Sequence, residues 1–476
     1  MGKSLRRVPA ALLVLLALCV VETLAWAIVI PPLAGPDEVS HVAYVQKVVE
    51  AREIPWVRGH PIDKRPPYST ELGDAIIIGG VSPVDANRSG RPLGTGLDER
   101  IWEEREGGFS RSDRADGGYT SALRNPPAYY LYAAVPYLLT SPLGIFDQVF
   151  VMRLANIPLL LIIVIFAWLT AGELFGRRRW LQTLMAGAVA LQPLLIHLTA
   201  TINPDILLSA ASSVALYLMI VSLKRGLTPR LAVALLALAA LSSLTHGRGV
   251  ALVGPVLLTI GLGVWKARRP GVRPRGRGAV AVAVLGAMAA VAAFVGVALK
   301  GAVTTTGLRQ LGTYLWQFYF GRPEFLAPVG PEYGFREVMV ERYFGGYAQF
   351  EVYFSAALND AFWWGMIAIA VCAVVAIVKH GRLADQWDVV LVLASAPVAT
   401  FALLHAIAFP LVIGAGDPII TGRYLLPLIA LYGAAIALAV AWLPRRWGVA
   451  LGGALLAALA LIELGAMAIT IERFYA

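Results

Sequence analysis

The feature that most constrains this chain is the run length of its apolar residues. They come in uninterrupted stretches of about 20, the length at which a helix crosses the hydrocarbon core of a bilayer. Inside hydrocarbon every backbone N–H and C=O must be paired within the structure, so only helices and closed barrels span. Barrel strands alternate in polarity and these stretches do not, so an all-α polytopic membrane protein is expected. Composition agrees, because 58% of residues are hydrophobic and 15% charged, whereas soluble domains run at about half apolar and a quarter charged.

About eleven spans are expected, near 8–30, 150–175, 180–199, 205–223, 230–246, 249–265, 279–299, 361–379, 387–409, 424–443 and 447–469. Lys and Arg collect on the cytoplasmic side of such bundles. The basic clusters are Lys3 with Arg6 and Arg7, Arg177 to Arg179, Lys224 with Arg225, Lys266 to Arg277, Lys379 with Arg382, and Arg445 with Arg446. Alternating spans put every one of them inside, which predicts a cytoplasmic N-terminus. Residues 126–143 are apolar enough for a further span, but counting it would reverse all the later loops. Their prolines and tyrosines suit an interfacial helix instead. The net charge of +10 then follows from topology and calls for membrane lipids rather than nucleic acid as partner. Cys19 and Cys372 both fall in spans, so no disulfide framework is implied.

This divides the chain into a first anchor helix (1–30), an extracytoplasmic loop with interfacial helices (31–149), a transmembrane core (150–299), an aromatic extracytoplasmic loop (300–360) and C-terminal transmembrane helices (361–476). Residues 31–125 carry twelve Lys/Arg and fifteen Asp/Glu. The cytoplasmic loops are short apart from the basic one, so function is expected on the outer face. ATP and nucleotide sugars are scarce there, and activated groups commonly arrive on polyprenyl phosphates. Transfer from such a donor needs a base for the acceptor hydroxyl, cations for the departing phosphate and a groove for the isoprenoid.

The stretch Gly35-Pro-Asp-Glu-Val-Ser-His41 follows directly on the first span. A helix begun by Pro36 would carry Asp37 and Glu38 in its first turn, with His41 and Tyr44 on a shared face. Asp37 is the candidate base, assisted by Glu38 or His41, with an N-cap role as the alternative. Thr421-Gly-Arg-Tyr424 opens a late span, and Arg423 is the candidate phosphate ligand, since a guanidinium grips two oxygens at once. A snorkelling arginine beside a belt tyrosine, Tyr424, is the alternative. Arg248, next to His246 in a turn between spans, and Arg153 are further cationic candidates. Asp205 in Asn203-Pro-Asp205, Asn125, Tyr44 and Gln317 are candidates for substrate contact, although Asn203 and Asp205 also read as a helix start. Glu22 and Glu463 lie inside spans without an evident reaction, and His405 reads as a satisfied polar residue. No Asp/His set for a metal stands out, so no metal and no cofactor is expected beyond the lipid-linked co-substrate.

These residues carry a resemblance. A first span followed by an acidic pair and then Asn125-Pro-Pro-Ala-Tyr-Tyr130 resembles the GT-C membrane glycosyltransferases. PDEVSH (36–41), INPD (202–205), LWQFYF (315–320) and TGRYLLP (421–427) together resemble a bacterial multi-spanning family, the domain of unknown function numbered two-one-four-two, which has been grouped with GT-C. The resemblance implies a GT-C-like bundle and an inverting transfer of sugar from a polyprenyl phosphate to an envelope glycan or glycolipid hydroxyl. It places the general base at Asp37. Richness in Ala, Arg and Gly points to a GC-rich bacterium such as an actinobacterium, hence to the plasma membrane and a decaprenyl donor serving cell-wall biogenesis. The rival readings are a flippase for lipid-linked glycans, expected to keep its polar groups near the midplane, a polymerase or ligase of preassembled glycans, and a non-catalytic assembly factor.

Overall fold

The computed structural model describes residues 8–56, 65–81, 95–176, 178–268, 305–379, 386–414 and 420–476. Eight helices in it are long and apolar enough to cross a membrane: Ala10–Val29, Ile145–Phe175, Asp205–Arg225, Gly247–Arg268, Ala356–Lys379, Trp387–Ile413, Gly422–Ala441 and Arg445–Tyr475. The pair Arg179–Ala190 and Pro193–Thr199 is apolar enough for a ninth when taken together, and is bent by 58° where Pro193 removes a backbone donor. Pro229–Thr245 is apolar but shorter. The expected span at 279–299 lies outside the described residues, so these residues do not reach the expected count of eleven.

Residues 126–143 form the helix Ala128–Leu139, with Pro136 inside it. Twelve residues rise only about 18 Å, too short for a core of about 30 Å. One face, with Tyr129, Tyr130, Ala133 and Tyr137, is buried, while Leu131, Val135, Leu138 and Leu139 point outward. The buried face packs on the helix Glu38–Val49. Around this pair the first loop is more ordered than its composition suggests, with further helices at Thr70–Ile78, Gly96–Glu106 and Arg111–Ala115. Thr95 and Ser110 each close a reciprocal capping box, with Asp98 and Asp113.

The two ends of the bundle differ chemically. At one end Lys224 and Arg225 meet Glu173, and Lys266 Nζ reaches Asp388 at 2.6 Å and the Leu223 carbonyl at 2.9 Å. Cations at helix C-termini oppose the negative end of the macrodipole. The other end gathers the close of the first helix, the start of Asp205–Arg225, the turn after Pro229–Thr245 and the start of Gly422–Ala441. These segments enclose the cavity described next.

Candidate functional site

The framework of this end hangs on one buried ion pair. Arg153 and Glu38 are 1% and 0% exposed and meet Nη2 to Oε2 at 2.7 Å and Nε to Oε1 at 2.8 Å. The remaining guanidinium protons go to the carbonyls of Ala27, Ile30 and Pro31, which close the first helix. Glu38 also accepts the amides of Gly35 and Ile202, both at 3.0 Å. All donors of the arginine and both carboxylate oxygens are therefore occupied. Neither Glu38, expected to assist a base, nor Arg153, expected as a cationic candidate, lines the cavity described below. A buried charge is tolerated only when paired and fully hydrogen-bonded, and these two satisfy each other.

Glu38 begins its helix, while Asp37 is one residue outside it, at φ 57° in the left-handed region and with no side-chain bond to the helix. Asp37 thus occupies the N-cap position, where its carbonyl accepts the His41 amide, but its side chain does not cap. A non-glycine residue at positive φ is uncommon, though Asp tolerates it better than most. The twist turns Asp37 away from Glu38, and Arg423 Nη2 donates to Oδ2 of Asp37. Arg423 is 8% exposed and Asp37 47%. The backbone before Arg423 demands glycine, since a Cβ on Gly422 would lie 2.5 Å from the Tyr343 amide nitrogen and the Val338 carbonyl oxygen.

Asp205 stands between the two arginines. Its Oδ1 accepts Arg248 Nη2 at 2.7 Å and its Oδ2 lies 3.8 Å from Arg423 Nε. Asn203 accepts the Asp205 amide through Oδ1 at 3.0 Å, as expected of a helix start. Arg248 lies flat on Tyr424, 3.6 Å from the ring centroid, a cation–π contact that fixes its plane. His246 Nδ1 accepts the Arg248 amide at 3.1 Å.

These groups line one cavity of about 220 Å³, whose walls include Asp37, His41, Asn125, Asp205, His246, Arg248, Arg423 and Tyr424. Ser121, Ala122, Asn203, Pro204 and Phe350 complete it. Phe350, itself at positive φ, places its ring 5.2 Å from the Arg423 guanidinium. Sequence reasoning had it only as one of many loop aromatics. Arg423 Nε and Nη1 and Arg248 Nη1 are buried and make no hydrogen bond. Unmade bonds of buried, charged donors cost stability. An apolar pocket adjoins the cavity and shares Arg248 and Tyr424 with it; Leu208, Leu216, Leu252, Leu403 and Leu404 line it.

Electrostatics separate the titrating groups. Burial pushes the Asp37 carboxyl up, but Arg423, with His41 and Arg248, outweighs it and holds the group below the usual carboxylate range. Burial takes His41 down to about 4 against the pull of Asp37. Burial, reinforced by both arginines, sets His246 well below the usual imidazole range. At neutral pH Asp37 is thus a carboxylate, and His41 and His246 are neutral imidazoles.

Two more expected contacts lie elsewhere. Tyr44 stands behind the cavity, stacked on Tyr130 at 3.6 Å between centroids, with its hydroxyl donating to the Asn125 carbonyl at 3.2 Å. Gln317 is buried in the aromatic segment, donating to the Ala327 carbonyl at 2.9 Å and accepting the Val329 amide at 2.8 Å, so it shapes a loop. His405 joins the hydroxyls of Tyr314 and Tyr319, as a satisfied polar residue does. Glu463 accepts the Trp26 indole within the bundle. Among the described residues no three His, Cys, Asp or Glu side chains gather as a metal would need.

Comparison with known proteins adds the following. No curated protein matches the sequence. Among solved structures, the crystal structure of the oligosaccharyltransferase of Archaeoglobus fulgidus in its apo form is similar at a TM-score of 0.44 and 13% identity. The match covers 96% of this chain and 56% of that one, so the chain spans about half the length of that enzyme. Residues 20–432 match the family described as "Predicted membrane protein (DUF2142)". That match takes in the second half of the first helix, the acidic stretch after it and both arginines of the cavity, and the chain belongs to this family of membrane proteins.

Proposed function

We propose that this protein is an inverting glycosyltransferase that moves a sugar from a polyprenyl-phosphate donor to a hydroxyl of an envelope glycan or glycolipid, on the extracytoplasmic face of a bacterial plasma membrane. One observation carries the reading. Two arginines whose buried N–H groups are not all hydrogen-bonded line a cavity that also holds a half-exposed carboxylate and opens beside an apolar pocket. A phosphate head with an aliphatic tail is the ligand such a junction suits. Arg423 and Arg248 would share the phosphate oxygens, and the adjoining pocket, about 20 Å³ as it stands, would widen between its leucines to admit the start of the isoprenoid.

Asp37 is the base in this scheme. It takes the proton of the acceptor hydroxyl, whose oxygen attacks the anomeric carbon from the face opposite the phosphate. The bond between that carbon and the phosphate oxygen breaks, and its electron pair leaves with the phosphate toward the two arginines. Charge develops where fixed cations already stand, which is how such sites lower a barrier. The motif resemblance to the GT-C enzymes leads to the same assignment of Asp37. The flippase reading is favoured less, because the cavity's charges sit at helix ends rather than at the middle of broken helices.

The test uses purified protein in nanodiscs offered a panel of radiolabelled polyprenyl-phosphate sugars and envelope acceptors. Sugar transfer with release of polyprenyl phosphate by wild type, and its loss in folded Asp37→Asn, is the expected result. Failure of every such lipid to bind would sink the donor class.

A further inference from the structure

Two residues of the cavity lining, Asn125 and His41, are joined through a buried third in a chain of hydrogen-bonding groups. Asn125 Nδ2 donates to the Tyr130 hydroxyl at 2.9 Å, and that hydroxyl lies 2.9 Å from His41 Nδ1. Tyr130 is 0% exposed and clamped by its stack on Tyr44, so its hydroxyl has little freedom to turn elsewhere. A phenol carries a single proton. Having accepted from Asn125, Tyr130 has that proton available for His41, and in this arrangement Nδ1 is the acceptor. The neutral imidazole then carries its hydrogen on Nε2, the ring nitrogen left over on a side chain that lines the cavity.

We propose that Asn125 and Tyr130 are positioning residues that hold His41 as the neutral Nε2–H tautomer, so that it serves as a hydrogen-bond donor to the donor-lipid phosphate and not as a base. The inference rests on the function proposed above for its ligand, but not for its tautomer. It gives the three residues one task. Asn125 does not need to touch the substrate, because its amide orients a phenol. Tyr130 never reaches the cavity, because its proton acts through the imidazole. His41 presents one N–H to the cavity, giving the phosphate a donor besides the two guanidiniums and leaving the base's role to Asp37.

The experiment uses the full chain in nanodiscs with ¹⁵N-labelled histidine. The protein has six histidines, and His41 is assigned as the resonance pair missing from His41→Gln. Nε2 is expected to be protonated and Nδ1 to be an unprotonated acceptor throughout about pH 5 to 8. Tyr130→Phe, which keeps the ring stack, is expected to release this preference and give a mixture of tautomers. An Nδ1–H tautomer in wild type, an imidazolium at neutral pH, or an unchanged tautomer in Tyr130→Phe overturns the proposal. Added decaprenyl phosphate should move the Nε2 resonance. If that lipid binds and the resonance stays still, the phosphate contact is wrong. If no polyprenyl phosphate binds, the contact falls together with the proposed function, while the tautomer measurement still decides the role of Tyr130. Turnover adds an independent reading. Gln places an N–H near the Nε2 position, so His41→Gln should stay within about tenfold of wild type, the worth of one hydrogen bond. A loss of about a hundredfold or more, as for removing a base, overturns the donor role.

Discussion

Arg423 donates to the carboxylate of Asp37 across 386 positions of sequence, and in doing so joins the first loop to the penultimate membrane helix. The pair keeps Asp37 ionised and ready to accept a proton. Asp37→Asn removes the acceptor while keeping the shape. Turnover should fall by about a hundredfold or more, with little change in thermal unfolding, because Asp37 is 47% exposed to the cavity. Radiolabelled transfer and a melting curve on the same preparation check both halves.

The two arginines should differ in how they fail. Arg423→Lys keeps a charge but loses the planar fork, and Arg248→Lys in addition loses its stack on Tyr424. Each is expected to weaken binding of a fluorescent polyprenyl phosphate by about tenfold or more, the worth of a charge-assisted hydrogen bond. Equal affinity in both variants would remove the arginines from phosphate recognition.

Glu38 should behave unlike its neighbour. Truncating one member of a fully buried ion pair leaves the other charge stranded, at a cost of about 3–5 kcal/mol. Glu38→Ala and Arg153→Ala are therefore expected to lower yield and unfolding temperature sharply. A well-folded Glu38→Ala that was merely slow would return Glu38 to the chemistry.

Acid should destabilise the fold through His41. Its folded value of about 4 lies below the unfolded imidazole value of about 6.5. Between these values the unfolded chain binds the extra proton and the folded chain does not, so stability is full above about 6.5 and declines as pH falls toward 4. His246, displaced in the same direction, adds to the slope. Denaturant unfolding of His41→Gln should show a shallower fall over this window than wild type.

Much of this was legible in the sequence because it rests on local rules. Run length gave the spans, basic clusters separated the two ends of the bundle, and prolines with a short apolar run marked Ala128–Leu139 as lying short of a crossing. Asp37, Arg423, Arg248 and Asp205 were found because each stands where a helix begins or a turn ends, and helix ends bring such groups to one level. What failed depended on partners far along the chain. Glu38 and Asp37 are adjacent and chemically alike, and only the left-handed turn at Asp37 and an arginine 115 residues away send one inward and leave the other in the cavity. Tyr130 was visible only as part of a motif, since the hydrogen bond that gives it a task crosses 89 positions to His41. Gln317 stood in a motif too, but its partners at Ala327 and Val329 show that a short pattern can equally mark a loop's shape.

The Arg153 clamp also orders events during synthesis. It ties the end of the first helix to Glu38 and Ile202, all of which leave the ribosome early, whereas Arg423 follows near the end. A nascent chain can thus settle its scaffold in the bilayer while its carboxylate still lacks the guanidinium that completes the site. On the function proposed here, unfinished or truncated copies would be inert passengers in the membrane, because the guanidinium arrives only with the penultimate helix.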